Sequence, residues 1–249
     1  MIGTSLYVLQ EKLLFRPTVL AQDYRFNFSH PFEELFLDTK DNAIINAVHF
    51  KAKDSKGVIL YFHGNAGDLS KWGTIAEYFV GKNYDVFVMD YRSYGKSTGT
   101  LSETALYDDA QICYSLLKEH YPENKITIYG RSLGTAIAAK VAANNSPKQL
   151  ILETPYFSIV DVAKTRFPFM PVSLMMSYQF PTHQFISNVT CDIHIFHGTN
   201  DYVVPFSSGE RLFNSSPKDK TSFSIIKNAG HNNLIDFKLY HDKINVLLP

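Results

Sequence analysis

The stretch Gly130-Arg131-Ser132-Leu133-Gly134 lies between an apolar run, Lys125–Tyr129, and a run of small residues, Thr135–Ala143. The first run has the composition of a buried strand, and the second that of a closely packed helix. A strand that turns at once into a helix forces the residue at the turn to a positive φ, and flanking glycines leave room for it. The pattern therefore predicts a nucleophile elbow that exposes the hydroxyl of Ser132.

Runs of strand length alternate with helix-length segments along most of the chain. The middle six strand candidates are continuously apolar, as strands buried on both faces of a parallel sheet should be. The alternation predicts an α/β fold with a mostly parallel eight-stranded sheet flanked by helices. The predicted strands are Glu34–Asp38, Ala43–Phe50, Val58–His63, Asp85–Asp90, Lys125–Tyr129, Gln149–Leu152, Asp192–His197 and Thr221–Lys227, and the predicted helices are Leu69–Lys82, Ser102–His120, Ser132–Ala143, Phe206–Phe213 and Asn233–Leu247.

The length of the chain suits one domain over residues 1–249. A segment at about residues 157–190 separates two predicted strands and is too long for a turn, so it is predicted to be an inserted helical cap. Its methionine and aromatic side chains suit either the core or a substrate pocket. The candidates for a pocket wall are Tyr91, Tyr156, Phe169, Met175 and Val203.

Charge and cysteine content limit the partners that this chain can have. The 24 Lys and Arg residues balance the 24 Asp and Glu residues, so a small neutral or amphipathic substrate is expected and nucleic acid is not. Cys113 and Cys191 are too far apart in sequence to indicate a disulfide framework, and no secretory signal precedes them, which favours the cytoplasm. No metal-ligand spacing or cofactor motif occurs, so neither a metal nor a cofactor is predicted.

The amino-terminal stretch Met1–Phe15 is apolar but is interrupted by Gln10, Glu11 and Lys12. It is too short and too polar to span a bilayer. It predicts an amphipathic helix that packs on the domain, with shallow membrane contact as the alternative. Membrane association would follow if an anchor preceded this stretch. No pattern in the chain indicates an oligomeric state.

An acid and a base that could serve Ser132 follow it along the chain. A serine hydroxyl is an effective nucleophile only when an imidazole takes its proton and a carboxylate orients that imidazole. Asp201 and His231 each follow a predicted strand, in the order Ser, Asp, His that an α/β sheet of this kind uses. We therefore predict Ser132 as nucleophile, Asp201 as orienting acid and His231 as general base. Glu153, at the end of another strand, is the competing acid.

Acyl transfer also requires donors that stabilise the oxyanion of the tetrahedral intermediate. The backbone N–H of Leu133, directly after the nucleophile, is the first expected donor. The second is expected from the glycine-containing loop His63–Gly67, at the N–H of Asn65, with that of Ala66 as the near alternative.

Five motifs together resemble those of the α/β-hydrolase-fold serine esterases, in the order expected of that family. The motifs are Tyr61–Gly67, Asp90–Ser97, Gly130–Gly134, His197–Asp201 and Gly230-His231. They look most like the branch with an HGNAG oxyanion loop, which includes membrane-associated lipid hydrolases, protein depalmitoylases and bacterial esterases. Leu14–Pro17 also resembles the segment that follows a membrane anchor in many relatives, although no anchor is recognised here. Ser93 stands where the family usually has glycine.

The residues and the resemblance together lead to an expected function. The chain is expected to be a serine hydrolase of carboxylic or thio esters that works through an acyl-enzyme, with a small-molecule ester or acyl group as substrate. A peptidase or amidase with the same machinery is the alternative within hydrolases. The alternative of another class is a binding protein that keeps the fold without catalysis.

Overall fold

The computed structural model describes residues 10–249, which form ten strands and nine helices. The strands are β1 (Arg16–Pro17), β2 (Phe32–Asp38), β3 (Ile44–Phe50), β4 (Val58–Phe62), β5 (Ala66–Gly67), β6 (Asp85–Met89), β7 (Ile126–Arg131), β8 (Gln149–Glu153), β9 (Asp192–Gly198) and β10 (Thr221–Ile226). The helices are α1 (residues 10–14), α2 (Leu69–Val80), α3 (Glu103–His120), α4 (Gly134–Asn144), α5 (Ile159–Arg166), α6 (Val172–Met175), α7 (Thr182–Ile186), α8 (Phe206–Ser215) and α9 (Lys238–Leu247).

Eight of the strands form one sheet in the order β10-β9-β8-β7-β4-β6-β3-β2. All neighbours from β10 to β6 run parallel, whereas β3 is antiparallel to both β6 and β2. The predicted eight-stranded, mostly parallel sheet is therefore confirmed. The carboxyl ends of β4, β7, β8 and β9 meet at one edge, and parallel sheets of this type bind their ligands there.

The central strands are buried because helices cover both faces of the sheet. Every residue of β4, β6, β7 and β8 is buried. One apolar core packs α3 and α4 against one face, and the other packs α2 and α9 against the opposite face. Continuous apolar runs, without alternation, are the sequence signature of this arrangement.

Two local features differ from the predicted elements. Helix α9 begins at Lys238, five residues later than predicted, because Phe237 has the extended dihedrals φ −104° and ψ 131° that separate the helix from a 3-10 turn at Leu234–Asp236. The second feature is a two-stranded parallel sheet of β1 and β5. Strands of two residues have no periodicity of their own, so the sequence did not indicate this sheet.

Helices α5, α6 and α7 all lie in the segment between β8 and β9 that is predicted to be a cap. Its side chains divide between two environments. Val172, Phe180 and Ile186 are buried in or against the core, whereas Phe169 and Leu174 are almost fully exposed. The cap and its boundaries remain a prediction.

The helix predicted over Met1–Phe15 lies largely outside the described residues. Within them, residues 10–14 are helical, and Phe15 is buried against Tyr178 with ring centroids 4.9 Å apart. Along residues 10–249, helices long and apolar enough to cross a bilayer are absent.

Candidate active site

Ser132 occupies the turn between β7 and α4 with φ 51°. Its amide donates to the carbonyl of Glu153 (2.9 Å). Glycines on both sides leave no room for a side chain: a Cβ on Gly130 would lie 2.6 Å from that of Ala138, and a Cβ on Gly134 would lie 2.1 Å from the carbonyl oxygen of Phe62. The strained, closely packed turn predicted from the sequence is present, and Ser132 is partly exposed between buried neighbours.

Three of the predicted site residues are joined by hydrogen bonds. Nε2 of His231 lies 2.9 Å from Oγ of Ser132, and Nδ1 of the same ring lies 2.7 Å from Oδ2 of Asp201. Because a carboxylate accepts, Nδ1 carries the proton and Nε2 is free to accept one from the serine hydroxyl. The imidazole is thus oriented as a general base requires.

Four donors surround the carboxylate of Asp201. The amides of Val203 and Val204 both donate to Oδ1 at 2.8 Å, while His231 and His197 approach Oδ2 at 2.7 and 3.3 Å. Burial alone would raise the pKa of Asp201. The hydrogen bonds from His197 and His231 outweigh burial and hold this pKa well below its usual range. The group is therefore a carboxylate at neutral pH.

Sequence reasoning missed His197. Its Nε2 lies 3.1 Å from the carbonyl oxygen of Val204 and 3.3 Å from Asp201, so the N–H must be on Nε2 because both neighbours only accept. Its ring is completely buried and presses on α8, where a Cβ on Gly209 would lie 2.3 Å from Nδ1. The signal available in the sequence was the spacing of four residues between His197 and Asp201.

The competing acid Glu153 is engaged elsewhere. Tyr129 donates its hydroxyl to one carboxylate oxygen, and Nε of Arg131 lies 3.3 Å from the other. The imidazole of His231 instead contacts Asp201. The structure therefore brings Asp201, and not Glu153, to the histidine.

The two amides predicted as oxyanion donors lie beside Ser132. Leu133 directly precedes α4, and Asn65 lines the same cavity as Ser132. Within residues 10–249, neither amide donates a hydrogen bond to another protein group. As far as residues 10–249 are concerned, both N–H groups are therefore free to bind a ligand oxygen.

A buried His–Asp pair joins His63, at the start of the loop of residues 63–67, to Asp90 below it, and the sequence analysis did not predict this pair. Nε2 of His63 lies 3.3 Å from Oδ1 of Asp90, with both side chains completely buried. Burial raises the pKa of Asp90, and its other oxygen accepts from the amide of Leu69 (3.0 Å). Tyr91 donates to the carbonyl of His63 at 2.8 Å. The motif Asp90–Ser97 therefore holds the loop from below.

A cavity of about 470 Å³ opens above Ser132, within the size range of small-molecule sites. Of the predicted pocket residues, Tyr156 and Val203 line it. Most of its wall is apolar. This apolar part comes mainly from α1 and α5 and from the residues that follow each of these two helices. The lining is Gln10, Leu13, Leu14, Arg16, Asn65, Ser132, Leu133, Tyr156, Ile159, Val162, Ala163, Arg166, Phe167, Met176, Val203 and Val204.

Three predicted pocket residues lie elsewhere. Tyr91 is completely buried under the loop and uses its hydroxyl there. Phe169 is 99% exposed in the turn between α5 and α6. Met175 ends α6, and its neighbour Met176 lines the cavity in its place. Adjacent residues at a helix end point in directions about 100° apart, so composition alone could not choose between them.

The described part of the chain contains no group of three or more His, Cys, Asp or Glu side chains that could hold a metal ion. The candidate site thus brings together the serine, the histidine, the carboxylate, the cavity and two amides that donate to no protein group within residues 10–249.

Comparison with known proteins shows which family this chain resembles in sequence. A family model described as serine aminopeptidase, S33, matches residues 53–188. Protein bem46 of Schizosaccharomyces pombe is 31% identical over 244 residues, which cover 91% of this chain and 81% of that protein. The α/β hydrolase domain-containing protein 17C of Mus musculus is 32% identical over 200 residues, which cover 78% of this chain and 60% of the mouse protein.

Among solved structures, an esterase of Pyrococcus furiosus, Pf2001, superposes with a TM-score of 0.71 at 16% identity, covering 94% of this chain and 95% of the esterase. At that identity the likeness establishes the fold, which is that of the α/β-hydrolases. Since the family match spans more than half of the 249 residues, this chain belongs to the serine aminopeptidase S33 family of α/β-hydrolases.

Proposed function

We propose that this chain is a serine hydrolase that cleaves carboxylic or thio esters of apolar acyl groups. The observation that carries the proposal is the hydrogen-bonded series from Ser132 through His231 to Asp201, with 2.9 and 2.7 Å between successive partners, at the base of an apolar cavity. The HGNAG motif of residues 63–67 supports the further proposal that the chain belongs to the esterase branch with this oxyanion loop.

The proposed reaction has two steps. Oγ of Ser132 attacks the acyl carbonyl while Nε2 of His231 takes the hydroxyl proton, and the carbonyl oxygen becomes an oxyanion held by the amides of Leu133 and Asn65. Collapse breaks the ester bond, and the imidazolium returns the proton to the leaving alcohol or thiol. Water then attacks the acyl-enzyme with the same base, which releases the acid and restores Ser132.

The lining of the cavity favours an acyl ester over a peptide with a free amino terminus. An aminopeptidase has to bind an ammonium group, which a carboxylate would neutralise. None of the described residues that line the cavity carries a carboxylate, and two of them, Arg16 and Arg166, carry guanidinium groups. A cationic substrate would be repelled, whereas the leucines, valines and aromatic residues suit an alkyl or aromatic acyl group.

The segment of residues 157–190 is proposed to act as the cap of a single domain, because α5 and the residues after it contribute Ile159, Val162 and Phe167 to the cavity. The free thiols Cys113 and Cys191 suit a reducing compartment. We therefore propose a cytoplasmic location, with a small-molecule ester or acyl group as the substrate.

The test is initial-rate hydrolysis of p-nitrophenyl esters of increasing acyl length, beside aminoacyl p-nitroanilides. Ser132→Ala should lower kcat by about 10⁶-fold, while Ser187→Ala, at an exposed serine directly after α7, should leave it unchanged. Ester turnover that survives in folded Ser132→Ala would contradict the mechanism. Turnover of the anilides alone would establish a peptidase, and no Ser132-dependent turnover of either class would favour a binding protein.

A further inference from the structure

The loop that carries Asn65 is held by the amino-terminal part of the described chain. β1 pairs in parallel with β5, so that Arg16 lies opposite Ala66 and Pro17 opposite Gly67. The amide of Arg16 donates to the carbonyl of Asn65 at 2.8 Å. The residue whose amide is the proposed oxyanion donor is thus fixed through its own carbonyl.

One buried hydroxyl completes this contact. The hydroxyl of Tyr94 donates to the carbonyl of Asn65 (2.7 Å) and accepts from the amide of Arg16 (3.2 Å). The ring of Tyr94 is completely buried, so water does not compete for either bond. Farther along, the carbonyl of Thr18 accepts from the amide of Gly95 at 2.8 Å. The turn that contains Tyr94 therefore ties both β1 and the loop.

The same segment also forms part of the cavity wall. Leu13 and Leu14 line the cavity that contains Ser132, and the side-chain amide of Asn65 donates to the carbonyl of Leu14 at 3.1 Å. Leu13 is 56% exposed. An exposed leucine at the wall of an apolar cavity is placed to contact an acyl chain.

The far side of the segment is joined to the proposed cap. The hydroxyl of Tyr178 donates to Glu11 at 2.8 Å, and the amide of Ser177 donates to Oε1 of Gln10 at 2.8 Å. Residues 10–20 therefore connect the proposed cap to the loop of residues 63–67 along one wall of the cavity, and we call them the strap.

We propose that the strap, together with Tyr94, sets both the rate and the acyl-length preference of the hydrolase. In this proposal Tyr94 is the positioning residue for the Asn65 amide, and Leu13 is a specificity-determining residue. This inference rests on the proposed function. A donor amide stabilises an oxyanion only when it is held in place beforehand, and the strap supplies bonds that the loop cannot make within itself.

The positioning role is tested with Tyr94→Phe, which keeps the ring and removes the hydroxyl. We expect kcat on p-nitrophenyl esters to fall about 10- to 100-fold with little change in KM, because the loss affects geometry and not ground-state binding. The rate at which a fluorophosphonate labels Ser132 should fall in parallel, since the phosphoryl oxygen uses the same amides. Tyr78→Phe, which removes a hydroxyl bonded to His241 (2.9 Å), is the matched control and should keep the wild-type kcat and labelling rate.

The possible outcomes distinguish failure of the positioning role from failure of the proposed function. Wild-type kcat and labelling in folded Tyr94→Phe would overturn the positioning role while Ser132-dependent turnover still stands. An equal loss in Tyr78→Phe would also overturn it, since the effect would then belong to any lost hydroxyl. Failure of Ser132 to react with either esters or the fluorophosphonate would overturn both proposals.

The specificity role is tested with Leu13→Trp, which fills the cavity from the strap side. The kcat/KM for the longest acyl esters should fall about 10-fold relative to that for the acetyl ester, so that the optimum moves to shorter chains. Val246→Trp, at an exposed position of α9, is the control for adding a surface indole. An unchanged length profile in Leu13→Trp would show that the strap does not contact the acyl chain.

Discussion

The acid corner (residues 197–204) and the oxyanion corner (residues 63–67) are held in different ways. Of the four donors around Asp201, three come from His197, Val203 and Val204, within four residues along the chain. The oxyanion corner is held by partners far away in sequence, including Leu14 and Tyr94. A corner held mainly by local contacts depends less on the rest of the fold, whereas one held by distant contacts depends on the whole fold being assembled.

Between these two corners, the largest effect should come from Asp201, at the centre of the acid corner. Asp201→Asn should lower kcat about 10⁴-fold, because an amide can stabilise the wrong tautomer of His231 and cannot stabilise the imidazolium. Initial rates on the best ester, with circular dichroism as the check on folding, measure this. Loss of less than tenfold would mean that another group, with Glu153 the first to examine, orients the histidine.

The next largest effect is expected from His197, and its substitution tests whether Asp201 needs this buried histidine to hold its position. His197→Leu should lower kcat about 10- to 100-fold by releasing Asp201 on one side. His197→Gln should retain most of the activity, because its amide nitrogen can donate where Nε2 does. Equal losses in both variants, measured as kcat with KM alongside, would assign His197 to packing and not to positioning.

Low pH should reduce the contribution that Asp201 makes to the free energy of unfolding. The folded-state pKa of Asp201 is lowered, so its carboxylate contributes stability that is fully present above its unfolded value, about 4, and is lost as pH falls through the folded-state value. The free energy of unfolding of wild type should therefore exceed that of Asp201→Asn at pH 7, and the gap should narrow below about pH 4. Urea denaturation at pH 7 and pH 3 measures it, and a constant gap would contradict the linkage.

The smallest effect concerns strain next to the oxyanion corner. Ser93 has φ 69°, which a residue with a Cβ adopts at a cost. Ser93→Gly should raise the free energy of unfolding by about 0.5–1 kcal/mol and Tm by about 2 °C, with kcat unchanged. Ser187→Gly, at φ −66°, should lower Tm. A lower Tm in Ser93→Gly would mean that the serine hydroxyl, 3.4 Å from the carbonyl of Gly99, stabilises the turn.

The same contrast explains which parts of the molecule could be predicted from the sequence. The sheet was predictable because β4, β6, β7 and β8 form nearly continuous apolar runs. The turn at Ser132 was predictable because Gly130 and Gly134 flank this serine between a strand-like run and a helix-like run. Asp201 and His231 were predictable because each follows a strand, and the structure brings them to Ser132.

What the sequence could not indicate depends on long-range packing. β1 has two residues and gains its partner only when the loop of residues 63–67 is in place. Phe169 and Met175 have the right chemistry for a pocket, but their directions are set by how α5 and α6 end. In the sequence, Asp90 looks like an ordinary polar residue, because only the folded structure brings it next to His63 of the loop of residues 63–67.

Gly209 is a position at which we expect natural substitutions to be poorly tolerated. It lies on α8, outside the lining of the cavity, yet a Cβ there would lie 2.3 Å from Nδ1 of His197. Any other residue would displace that ring and, through it, the carboxylate of Asp201. In a survey of missense variants, Gly209 should therefore be as intolerant as a reacting residue, although it has no side chain with which to react.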